Sequence, residues 1–204
     1  EVLAPGELLV VDLALDPGAV VVLETEDAVL DVVRVGTGPR AHDGAGWRTP
    51  SQSTPGAPNA IDRVDQVVIN ELLYNFGAHE WIELFNRGDD PVALDGWQLV
   101  DGVAFVFPPD TLLEPGAYLV VAADPQAVSA LHPEVHVIGG YAGRLGNESD
   151  RVLLLDALGN PADEVRYHDG GRWPVAADGG GASLELQDPW ADNAVPGAWA
   201  ASES

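Results

Sequence analysis

Three residue types are missing from this 204-residue sequence altogether: cysteine, methionine and lysine. Without cysteine there is no disulfide framework, no thiolate chemistry and no cysteine-based metal site, and the redox compartment is left open. Without methionine even at the start, where the chain opens Glu1-Val2-Leu3, the segment reads as a processed product or a window of a longer protein. Without lysine, all positive charge rests on nine arginines, set against 33 acidic residues for a formal net charge of −24. That field repels phosphate backbones, so nucleic-acid binding is not expected. Long apolar runs are missing too. None reaches the roughly 18–20 residues that cross a bilayer, and no signal-peptide pattern is present, so membrane insertion is not expected.

What the sequence does have is apolar content, 46% hydrophobic residues, with 23 glycines and 16 prolines as punctuation. That is enough to build a core, and the spacing of the turn residues favours many short strands over long helices. Residues 1–60 contain three β-branched segments, Glu7–Val11, Ala19–Leu23 and Ala28–Val35, and then a Gly/Pro/Ser/Thr-rich strap, Gly36–Asn59. A boundary falls near Ala60–Asp65, giving units 1–60 and 61–204. From Gln66 onward, alternation marks Val67–Tyr74, Glu80–Asn86, Val92–Asp101, Ala104–Phe107, Ala117–Ala122, Val135–Ile138, Arg151–Asp156, Asp163–Tyr167 and Ala182–Leu186 as strands. One short helix is expected over Asp124–His132, with Asp124 as its N-cap and Pro125 at its first position. About nine short strands in this span describe an all-β sandwich or small barrel. In Glu80–Asn86, Ile82 and Leu84 share one face while Trp81, Glu83 and Phe85 share the other. Bulk on both faces predicts a central strand covered on both sides. Trp97 and Trp173 are expected as core anchors.

The chain also echoes itself. Pro5-Gly6-Glu7-Leu8-Leu9-Val10-Val11 resembles Pro115-Gly116-Ala117-Tyr118-Leu119-Val120-Val121, and Ala19–Gly36 resembles Arg151–Gly170, with Trp47 falling where Trp173 falls. Residues 1–60 thus read as the back half of a unit like the one that follows.

Ordered motifs over residues 67–199 carry a family resemblance. Ile69-Asn70-Glu71-Leu72, Glu80-Trp81-Ile82-Glu83-Leu84-Phe85-Asn86 and Leu94-Asp95-Gly96-Trp97-Gln98-Leu99 open it. Phe107-Pro108-Pro109 and Leu113-Glu114-Pro115-Gly116-Ala117-Tyr118 continue it, and Leu145-Gly146-Asn147, Trp173-Pro174 and Gly181-Ala182-Ser183-Leu184-Glu185 close it. Together these resemble a bacterial lamin tail domain, and Thr54-Pro55-Gly56-Ala57-Pro58-Asn59 resembles the ending of a preceding, partial copy. The resemblance implies an immunoglobulin-like β-sandwich with extra strands from that partial second unit. It also implies no catalytic apparatus, and a place in a large secreted or cell-surface protein. Two departures stand out: the second copy reaches Ser204 without its own Thr-Pro-Gly ending, and the first lacks opening strands. Half a sandwich leaves edges and an apolar face to be covered.

Candidate chemistry is sparse. Glu71, Glu80 and Glu83 sit inside apolar strands and read either as an acid/base pair or metal site, or as carboxylates that hold backbone and arginine groups. His132 and His136 are four apart, but Pro133 between them breaks the helix a zinc motif needs. Arg87-Gly88-Asp89 is assigned no function. Acidic loops suit calcium, the one cofactor considered, with Asp89, Asp90 and Asp95 as its candidate ligands. Trp190, Trp199 and Tyr141, with Trp47, are candidates for stacking on a polysaccharide.

The expectation is therefore a non-catalytic structural or interaction module at the cell surface or outside the cell. Its partners would be other domains of its parent protein or neighbouring copies, with strands of the partial unit pairing in a filament or layer. The alternative is a carbohydrate- or wall-binding accessory domain attached to an extracellular hydrolase.

Overall fold

The computed structural model describes residues 14–16, 18–24, 29–34, 38–43 and 45–203. The expected strand Glu7–Val11 lies outside them. The chain divides into two compact units, Glu1–Arg63 and Val64–Ser204.

In the first unit, β-branched residues build an antiparallel ribbon from β1 (Val20–Glu24) and β2 (Val29–Arg34). A smaller ribbon joins β3 (Ala41–His42) to β4 (Trp47–Arg48). Its turn is organised by Asp43, whose carboxylate accepts from the amides of Ala45 and Gly46 and from Arg48 Nε. Those donors, the backbone amides above all, hold its pKa down to about 2.

The second unit contains thirteen strands: β5 (Val67–Leu73), β6 (Trp81–Asn86), β7 (Val92–Ala93), β8 (Gln98–Asp101), β9 (Val103–Val106), β10 (Leu112–Leu113), β11 (Tyr118–Ala122), β12 (Val137–Gly139), β13 (Ala142–Gly143), β14 (Ser149–Leu155), β15 (Pro161–His168), β16 (Leu184–Leu186) and β17 (Trp199–Ala201). There are four more strands than the alternation suggested: one comes from a split, and β10, β13 and β17 lie in segments where none was expected. The segment Val92–Asp101 is not one strand, because the Asp95-Gly96 turn, with Gly96 at φ +73°, splits it into β7 and β8. The three-residue β17, hidden in a Pro/Gly-rich stretch, was not expected at all. The helix α1 (Pro125–Leu131) forms as expected, with Asp124 accepting from the amides of Gln126 and Ala127.

Two sheets face each other. One has six strands in the order β12-β11-β6-β5-β16-β17, and the other five in the order β13-β9-β8-β14-β15. A ribbon of β7 and β10 stands beside them. The core between them takes Ile69, Ile82, Leu84, Leu119 and Val121 from the first sheet and Leu99, Val103, Val152, Leu154 and Val165 from the second. Trp97 and Trp173 are buried in the same cluster. This is an immunoglobulin-like β-sandwich, all-β apart from one short helix. A carboxylate ties the two sheets together: Asp163 on β15 accepts from Ile69 N at 2.6 Å and from Asn193 Nδ2 at 2.7 Å. Asn193 Nδ2 also reaches the Ile69 carbonyl, and its own carbonyl accepts Trp199 Nε1 at 2.8 Å.

As expected, β6 is central, flanked by β11 and β5, and both of its faces are occupied. Ile82 and Leu84 point into the sandwich core. On the other face, Trp81 packs against a second cluster of Val120, Ala122 and Val128, in which α1 contributes Val128.

Candidate functional site

The outer face of the six-stranded sheet gathers the most unusual chemistry in the chain. Its centre depends on one irregularity. The pairing of β5 with β6 slips between Ile69 and Glu71, so that Asn70 is an extra residue in β5. Ile69 and Leu72 both remain in the core across the slip. Without it, strict alternation would carry Glu71 to the core face; with it, Glu71 lies outside.

The register then lines up like charges. Glu71 pairs directly with Glu83 on β6 and with Glu185 on β16. Val120 on β11 continues the same row past Glu83. The next row along the sheet holds Tyr118, Phe85 and Val68. Phe85 stacks on Tyr118 with ring centroids 4.6 Å apart and meets Trp190 edge-on at 6.2 Å. Trp190 is 67% exposed and Tyr118 48%.

Like charges directly opposite on adjacent strands destabilise a sheet. Here the cost is offset locally. The Ser183 hydroxyl donates to Glu71 Oε1, and Asn70 Nδ2 donates to Glu83 Oε1 at 3.0 Å. Even so, burial raises the Glu71 pKa. Glu83 is pushed up to about 7, first by desolvation and then by the neighbouring Glu71 and Glu185 charges. Above this row, between the sheet and α1, lies a pocket of about 180 Å³ lined by Glu71, Trp81, Glu83, Val120, Val128, His132 and Val135.

The residues singled out from the sequence are scattered by the fold. Glu80 does not join Glu71 and Glu83: it is 2% exposed, accepts the Leu145 amide at 3.0 Å, and has its pKa raised by burial. That is the backbone-holding role. Trp199 and Tyr141 are in the core, Trp199 with its indole N–H given to a carbonyl, so neither offers a face for stacking on a sugar. Of the four aromatic candidates Trp190 is exposed and Trp47 is half-buried beside His42, and the ring that meets Trp190 is Phe85 rather than any of the other candidates. Asp89 and Asp90 are exposed in the turn after β6, while Asp95 accepts the Thr111 amide. Among the described residues, no three or more His, Asp or Glu side chains come together as a metal site. Several other loop carboxylates serve their own turns: Asp156 accepts from Leu158 and Asn160, Asp188 from Trp190, and Asp192 from Ala194. Arg87 of the Arg-Gly-Asp stretch is structural, binding the carbonyls of Asp65 and Pro189.

On the opposite sheet, the charges neutralise one another. Arg151 on β14 pairs with Asp101 and Glu164, and Arg166 pairs with Glu164. The arginine bonds hold Glu164 down to about 2. The contrast between the two sheets is plain: carboxylates matched by arginine on one outer face, and carboxylates paired with each other on the other.

The family model of the Lamin Tail Domain matches residues 62–169, more than half of the chain. The chain belongs to the lamin tail domain family. No curated protein matches it. The matched region of this lamin tail domain contains β5 through β15 and therefore Glu71 and Glu83, whereas Ser183, Glu185 and Trp190 come from the segment after it. That later segment is integral to the fold, since β16 is inserted between β5 and β17. The lamin tail domain is a non-enzymatic, immunoglobulin-like family. No helix among the described residues is long and apolar enough to cross a membrane.

What the sequence reading missed is the company of Glu71 and Glu83. Glu71 has a hydroxyl partner 112 residues away in Ser183, and His132 lies across the pocket. The strand register places Ser183 beside Glu71, and the packing of α1 on the sheet brings in His132.

Proposed function

We propose that this lamin tail domain is a non-catalytic interaction module of a larger secreted or cell-surface protein, and that it receives its partner on the outer face of the six-stranded sheet. One observation carries the reading. The row Glu83–Glu71–Glu185 is held on directly paired strands, at a cost to the sheet, beside the exposed rings of Trp190 and Tyr118. Exposed aromatic side chains are enriched in protein-binding patches, and the acidic row beside them supplies charge complementary to a basic partner.

The test is a panel of basic, acidic and neutral twelve-residue peptides, with soluble polysaccharides in parallel, measured against the full chain. Peptide binding that is lost in Trp190→Ala and Tyr118→Ala but retained in Arg166→Ala on the other sheet supports the reading. Binding that ignores the first two variants and fails in the third refutes it. Polysaccharide binding lost in Trp190→Ala would favour the second reading, a carbohydrate-binding accessory domain, which rests on the same exposed indole.

A role in assembly extends the first reading. The β1–β2 ribbon has two strands, and such ribbons gain stability from further strands or a covering layer. A neighbouring copy that pairs with it would make the chain a filament or layer subunit. Light scattering that rises with concentration supports that extension, and a monomer at every concentration removes it.

A further inference from the structure

We infer that the pocket between α1 and the six-stranded sheet takes the cationic side chain of a lysine or arginine from the partner, an inference that rests on the interaction-module reading above. The pocket's size argues for a side chain. At about 180 Å³ it falls below the roughly 300–1,000 Å³ that drug-sized ligands and cofactors occupy. A space of that size suits one long side chain rather than a whole cofactor.

Its walls match such a side chain from stem to tip. Val120, Val128 and Val135 offer apolar surface to a methylene stem, and long cationic side chains bury their stems in this way. Trp81 supplies the ring that best attracts a cation over its face. Glu71 and Glu83 supply the charge, already partly stripped of water.

A separate sign of an absent donor comes from Asn70. It is 6% exposed, its amide nitrogen lies 3.0 Å from the pocket carboxylate Glu83, and its Oδ1 has no hydrogen-bond partner. Unpaired buried acceptors are rare because each costs free energy. An ammonium brings three N–H donors and a guanidinium five, and neither accepts, so a cation meets the carboxylates of Glu71 and Glu83 without adding an acceptor of its own. Charge on the scale of the whole molecule agrees: at −24 the chain attracts basic partners.

Nitrogen-15 NMR of the full chain, titrated with the blocked tripeptides Gly-Lys-Gly and Gly-Arg-Gly, tests this. Gly-norleucine-Gly, which keeps the stem and removes the charge, is the control. The expected result is saturable shifts at the Trp81 indole, Val120 and Val128, with norleucine weaker by about fivefold or more. Glu83→Gln should weaken the cationic peptides by a similar factor, with Glu71→Gln as a second variant, and Arg166→Ala on the other sheet should leave them unchanged. Binding is also expected to be tighter at pH 8 than at pH 6, as Glu83 ionises beside Glu71, Glu185, Tyr118 and His132. Equal binding of the norleucine peptide, shifts spread over the acidic surface, or indifference to both glutamine variants would overturn the inference. If that happened while the longer peptides still needed Trp190 and Tyr118, the interaction reading would survive and the pocket assignment would not.

Discussion

Replacing Glu83 by glutamine should make the protein more stable at pH 8. Desolvation and two facing carboxylates raise this carboxyl from 4.5 to about 7. A carboxyl with a higher pKa in the folded chain supports folding at low pH; its ionisation penalises folding progressively as pH rises from about 4.5 and fully above about 7. At about 1.4 kcal/mol per pH unit the penalty would be roughly 3 kcal/mol. The side chain keeps some contact with water, and screening reduces this to about 1–2 kcal/mol. Glutamine is neutral at every pH and retains an oxygen to accept from Asn70 Nδ2. Thermal unfolding of parent and Glu83→Gln at pH 5 and pH 8 checks the reasoning. The variant should gain about 2–6 °C at pH 8 and roughly a quarter of that at pH 5. A variant less stable than the parent at pH 8, or a gain independent of pH, would show that the carboxylate row is not desolvated as described.

Two further substitutions probe the frame that holds this face. Asp163→Ala removes the acceptor that joins Ile69 N at the β5 slip to Asn193, leaving donors unpaired. It should cost about 2–4 kcal/mol in denaturant unfolding, and a loss below about 0.5 kcal/mol would contradict that role. Gly139→Ala places a Cβ 2.1 Å from the Ala122 carbonyl at φ +143°, so β12 must leave β11. The amides of β12 should then exchange faster, with about 2 kcal/mol or more of lost stability, and unchanged exchange would argue against the parallel pairing.

The sandwich was legible because its strands alternate cleanly. Ile82 and Leu84 against Trp81, Glu83 and Phe85 predicted both the orientation of β6 and its central place, and Asp124-Pro125 announced the start of α1. The candidate site was not legible, for a physical reason. Counting residues along β5 assigns Glu71 to the face of Ile69, and the extra residue at Asn70 moves it to the other. A bulge leaves no composition signal in Ile-Asn-Glu-Leu. Nor does local sequence show that Glu185, over a hundred residues on, will stand opposite Glu71. The aromatic candidates failed differently. Trp199 and Trp190 lie in similar Pro- and Gly-rich surroundings, yet Trp199 sits on the buried face of an unexpected strand while Trp190 projects beside Phe85. Loop aspartates misled in the same way, since many of their oxygens hold turn amides rather than standing free.

The most direct measurement is a carbon-13 titration of the side-chain carboxyls of Glu71 and Glu83, in the free chain and with the lysyl tripeptide present. The account predicts a Glu83 midpoint near 7 in the free chain, well above the ordinary carboxylate range, and a fall when the cation is added. A midpoint within the ordinary range, unmoved by the peptide, would mean that the paired glutamates are simply solvated surface, and that the outer face is not built to receive a basic partner.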